Sequence, residues 1–105
     1  MPIASAQYDD AEMLAMARAA AAWVARWGVP NEAAERLMKG EGRAAALLGI
    51  HRALRCLFTD SDRAARWIRA PNEAFNGACA LDLMLADGLA GMQRVEAYLD
   101  AEIAS

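Results

Sequence analysis

Valine, isoleucine and threonine together occur eight times in these 105 residues, whereas alanine occurs 27 times. β-Branched side chains suit a pleated sheet, while Ala, Leu, Met, Glu and Arg favour helix. A chain so poor in the first group and so rich in the second is expected to be all-α. Small alanine side chains also let helices approach closely. At this length one compact domain can bury a modest core without disulfides.

Helix starts and stops divide the chain into six expected helices. Asp9 or Asp10 can cap the first, which runs to about Trp27 and stops at Gly28. Along it Met13, Met16, Ala20, Trp23 and Trp27 share one apolar face, suited to core or helix–helix contact. Asn31 is the expected N-cap of a second helix over about 32–39, followed by a tight Gly40-Glu41-Gly42 connection. A third helix covers about 43–58, with Leu47, Ile50 (or His51), Leu54, Leu57 and Phe58 toward the core. Thr59-Asp60-Ser61-Asp62 starts a fourth, which ends before Pro71 because the residue before proline avoids the α region. Pro71-Asn72 and Asn76-Gly77 bracket a loop pinned by Phe75. A fifth helix spans about 81–86 and Asp87-Gly88 breaks it. The last, about 89–103, places Met92, Val95, Leu99 and Ile103 on one face. Residues 1–8 carry no pattern and read as a mobile tail.

The net charge of −3 gives no general reason to expect nucleic-acid binding. Residues 41–69 carry +3 and residues 70–105 carry −5. Such asymmetry either orients a partner or belongs to solvated helix faces. Cys56, Cys79 and His51 show no metal-ligand spacing and fit reduced thiols in a cytoplasmic protein. No secretory signal or membrane-spanning run is visible, so a soluble chain is expected.

Catalytic patterns are missing. Gly40-Glu41-Gly42 lacks the Lys-Ser/Thr of a phosphate loop. Cys56 and His51 sit about 140° apart around one helix at ~100° per residue, too far to pair as nucleophile and base. His51 is expected at the core edge or facing a partner, and Cys79 as a small buried filler. The chain reads as a non-enzyme without cofactor, metal or small-molecule substrate.

One ordered set of segments carries more. Leu47-Leu48-Gly49-Ile50-His51-Arg52-Ala53-Leu54 is followed by Arg66-Trp67-Ile68, then Pro71-Asn72-Glu73-Ala74-Phe75-Asn76-Gly77. Leu81-Asp82-Leu83-Met84, Gly88-Leu89, Val95 and Tyr98-Leu99-Asp100 complete it. Over roughly residues 43–101 this order resembles the toxin-binding domain of the Xre/MbcA/ParS antitoxin family. The resemblance implies the antitoxin half of a bacterial type II toxin–antitoxin pair. The implied partner is a RES-domain toxin that consumes NAD by phosphorolysis, hydrolysis or ADP-ribosyl transfer, its NAD cleft closed by the antitoxin. The signature loop is Trp67, Pro71, Asn72, Phe75 and Gly77. Trp67 and Phe75 are expected to hold it to the core, with Asn72 capping the turn. Toxin contacts are expected from Arg52, Arg55 and Arg69, and from Glu96, Tyr98, Asp100, Glu102 and the Ser105 carboxylate. A cleft shaped for pyrophosphate can also receive carboxylates; otherwise these acids are the solvated side of the last helix. Deleting residues 97–105 is then expected to release the toxin.

Many members of that family carry a DNA-binding helix-turn-helix in front. Here Trp27-Gly28-Val29 through Met38 looks like its start, but the chain passes directly into the third helix, leaving no room for a recognition helix. Residues 1–42 therefore read as a tail and a shortened helix-turn-helix-like region, and 43–105 as the toxin-binding region of one folded unit. The alternatives are an autorepressor bound to promoter DNA, or a helical assembly module. Trp23 and Trp27 leave homo-oligomer formation and burial within one chain equally open.

Overall fold

The computed structural model describes residues 9–40 and 42–105. The expected tail at 1–8 and Glu41 of the Gly40–Gly42 connection lie outside them. The helices are α1 (Asp10–Arg26), α2 (Asn31–Met38), α3 (Arg43–Leu57), α4 (Ser61–Arg69), α5 (Ala80–Asp87) and α6 (Leu89–Ala104). A single 3-10 turn, Glu73–Phe75, lies between α4 and α5. The all-α expectation holds, and each boundary falls close to its sequence signal.

The boundaries have local causes. Asp9 caps α1 in a reciprocal box: its carboxylate accepts from Glu12 N, and Glu12 accepts from Asp9 N. Asp60 accepts from Asp62 N at the start of α4. Two expectations fail here. Asn31 is the first residue of α2, not its cap, because Pro30 occupies the cap and makes no side-chain bond. Proline pre-sets the backbone entry, and the helix starts without a side-chain cap. Cys79 is not buried filler: it is half-buried and its Sγ accepts from Asp82 N at 3.4 Å, capping α5.

The core gathers around α3, which packs most extensively on α6 and then on α1. Gly42 faces Leu89 and Gly49 faces Glu96, so α3 and α6 run side by side in the same direction. Val24, Leu37, Leu47, Ile50, Leu54, Ile68, Met84, Met92, Val95 and Leu99 are fully buried. No helix among the described residues is long and apolar enough to cross a membrane.

Both long helices overrun this core. Met13 and Leu14 near the start of α1 are 42% and 53% exposed, so only the later part of the expected apolar stripe is covered. Met92, Val95 and Leu99 are buried as expected, but Ile103 is 42% exposed. From Asp100 onward every residue of α6 is exposed, because the helix has passed the elements it packs on.

Gly88 turns the chain from α5 directly into α6 at φ +61°. One turn later Gly91 is buried against the Leu83 carbonyl group, whose carbon would lie 3.0 Å from an added Cβ. Gly91→Ala is expected to destabilise the fold by about 1–2 kcal/mol. Overpacking against backbone costs ~1–3 kcal/mol and outweighs the ~1 kcal/mol helix preference for alanine. Urea unfolding checks this; a variant more stable than the parent would refute the tight approach.

Candidate functional site

The loop after α4 is held at several points. Asn72 Oδ1 accepts from Ala74 N at 2.9 Å, and Asn72 N donates to the Ala78 carbonyl at 3.1 Å. Pro71 and Cys79 form an isolated antiparallel bridge that closes the loop's base. Asn76 at φ 59° and Gly77 at φ 89° turn the chain back. Asn72 therefore caps the turn as its sequence context predicts.

Aromatic side chains fasten this loop to the body. Phe75 is 4% exposed and meets Trp67 edge-on at 6.4 Å and Tyr98 at 5.4 Å between ring centroids. Trp67 and Tyr98 stack at 6.1 Å and 17°. Arg94, one turn before Tyr98, donates from Nη2 to the Ala74 carbonyl at 3.1 Å and lies 5.6 Å from the Phe75 ring centroid. α6 thus grips the loop through Arg94 and Tyr98. Trp67 and Phe75 hold the loop as expected. Tyr98 spends much of its ring on the same cluster and is only half exposed to a partner. Arg94 escaped the sequence reading; its one signal was being the lone cation among six acids after residue 69.

The other candidate residues divide into separate places. Glu96 lies over Gly49, where the missing side chain leaves room for its carboxylate. Burial, and then Asp100 one turn on, push the Glu96 carboxyl above its ordinary 4.5, while Arg52 pulls it down. Arg55 lies on a different side, in a cleft of about 240 Å³ between α1, α3 and the start of α4. Arg69 donates from Nε to the Ala65 carbonyl at 3.4 Å and rests against Gly28 at the α1–α2 turn. Glu102 and Ser105 sit on the projecting end of α6, where Ser105 Oγ donates to the Glu102 carbonyl at 3.0 Å. The structure joins Arg52, Glu96 and Asp100, and it joins Trp67, Phe75 and Tyr98. It does not join Arg55 or Arg69 to either group.

Glu96 carries a pH signature. An acid whose folded pKa is raised stabilises nothing by ionising; its penalty is absent below 4.5 and complete above the folded value. Glu96→Gln is therefore expected to raise the thermal midpoint at neutral pH, with the gain vanishing below pH 4.5. Equal gains at both pH values would remove the electrostatic explanation.

His51 is half-buried and stacks on Trp23 at 3.5 Å and 19°, with the Arg26 guanidinium 4.8 Å from the same indole. Burial, then Arg55, then Arg26 push the His51 imidazole below its ordinary 6.5. It is a core-edge histidine that completes one wall of the cleft.

The six helices of the described residues, with α3 at their centre and a loop clamped onto α6, define an all-α domain. Residues 53–102, just under half of the chain, match the family described as "Antitoxin Xre/MbcA/ParS C-terminal toxin-binding domain". The match contains the whole clamped loop and all of α4 and α5. Among curated proteins the chain is similar to "Uncharacterized protein y4oB" of Sinorhizobium fredii, at 50% identity over 60 residues. That stretch is 57% of this chain and 46% of the relative, so the chain spans just under half of that protein's length. No solved structure matches the chain significantly.

Proposed function

We propose that this chain is the antitoxin of a type II toxin–antitoxin pair and inhibits a RES-domain toxin by covering its NAD site. The toxin-binding family match over residues 53–102 carries the reading. The projecting end of α6 supports occlusion as the means. Ile103 offers an exposed apolar anchor, flanked by the exposed carboxylates of Asp100 and Glu102. A cleft that binds a dinucleotide pyrophosphate presents cations and N–H donors, which carboxylates satisfy equally well. Arg52 and the clamped loop would lie beside that contact and set its orientation. The family match and the exposed acids favour this reading over binding to promoter DNA. The deciding experiment measures NAD consumption by the product of the neighbouring gene, at increasing ratios of this protein. Stoichiometric inhibition with co-elution supports the proposal; unchanged NAD turnover with no complex overturns it.

A further inference from the structure

The cleft between α1, α3 and the start of α4 straddles the edge of the family match: Trp23, Arg26, Trp27 and His51 precede residue 53, and its other lining residues lie within the match. Arg26 and Arg55 both line it, and Thr59 and Ser61 add hydroxyls at its rim. No acidic residue is among its lining residues. Leu54 and Phe58 give it an apolar floor. Each arginine stands in the last turn of its helix, where a cation complements the helix carbonyls. That accounts for their positions in the sequence, but not for both side chains meeting at one cleft. Arg26 is further fixed by lying over the Trp23 ring. At about 240 Å³ the cleft is smaller than the ~300–1,000 Å³ typical of small-molecule sites. A dinucleotide does not fit it, whereas one oxyanion group does.

We propose that this cleft binds a single oxyanion, a carboxylate or a phosphate, between the guanidinium groups of Arg26 and Arg55. Guanidinium forks match both groups in geometry and charge. The hydroxyls of Thr59 and Ser61 can donate to the remaining oxygens, and the apolar floor accommodates the short stem of an acidic side chain. The site is independent of whether the projecting end of α6 inhibits a toxin.

The test is a heteronuclear NMR titration of the full chain with inorganic phosphate and, separately, with N-acetylglutamate at constant ionic strength. Saturable shifts at the Trp23 indole, the His51 ring and the Ser61 amide are expected. Each of Arg26→Gln and Arg55→Gln should weaken binding about tenfold, the scale of one charge-assisted hydrogen bond. Both arginines are exposed, so the variants should fold, which unchanged circular dichroism verifies. Saturation by phosphate alone assigns the site to a free ion. Saturation by N-acetylglutamate assigns it to an acidic side chain of a partner. Non-saturating shifts, or shifts equal in the double variant, would overturn the proposal.

Discussion

Phe75→Ala is expected to destabilise the domain by about 3–5 kcal/mol, the range for emptying a buried aromatic position. Phe75 is 4% exposed, and its ring is the common neighbour of Trp67, Tyr98 and Arg94. Removing it takes the shared surface from all three and leaves a cavity under the loop. Domains of this size hold ~5–15 kcal/mol in total, so the variant should sit near its unfolding threshold. Phe75→Leu keeps apolar volume and forfeits the ring geometry, worth roughly 0.5–1.5 kcal/mol per aromatic pair. The alanine loss should therefore clearly exceed the leucine loss. Urea unfolding, with the denaturant slope compared among the three proteins, checks both values. A loss below about 1 kcal/mol for the alanine variant would mean the loop is held by its backbone bonds alone.

Removing residues 101–105 is expected to leave the fold intact and, under the proposed occlusion, to weaken toxin inhibition by about 30-fold or more, the effect of losing one strong interface residue. The structure changes which truncation is informative. The sequence pattern points to a cut at residue 97, but Leu99 is 1% exposed and Tyr98 stacks on Trp67. That longer deletion would open the core and release the toxin for a trivial reason. Residues 101–105 are all exposed, so the shorter deletion removes Glu102 and Ile103 without touching buried contacts. Unchanged thermal midpoint with weakened inhibition of NAD consumption is the expected pair of results. Full inhibition by the truncated chain would move the contact to the clamped loop or to the Arg52–Glu96–Asp100 patch.

The two results separate the roles that signature residues can have. Trp67, Pro71, Asn72, Phe75 and Gly77 shape and anchor the loop. The side chains of Trp67, Asn72 and Phe75 are engaged within the chain, and what the loop offers a partner is chiefly its shape. The exposed end of α6 has the opposite character. It contributes little to the fold and keeps its side chains available.

Local signals decided much of this protein. The capping box at Asp9 and Glu12, the proline at position 71 and the left-handed turns at Gly28 and Gly88 act within one turn of backbone, through hydrogen bonds and φ restrictions that any neighbourhood leaves intact. Helix boundaries, the all-α class and the burial of Phe75 were therefore legible from residues alone. The tertiary structure decided which faces found neighbours. Tyr98 and Arg94 reach Phe75 from about twenty positions downstream. Ile103 continues the apolar stripe of Leu99 but lies past the last helix that could cover it. Trp23, whose sequence context left core burial and helix–helix contact open, is half-buried and stacks on His51 at the edge of a cationic cleft. Periodicity defines an apolar face, but its burial depends on where the other helices end, and helices rich in alanine can pack on several sides.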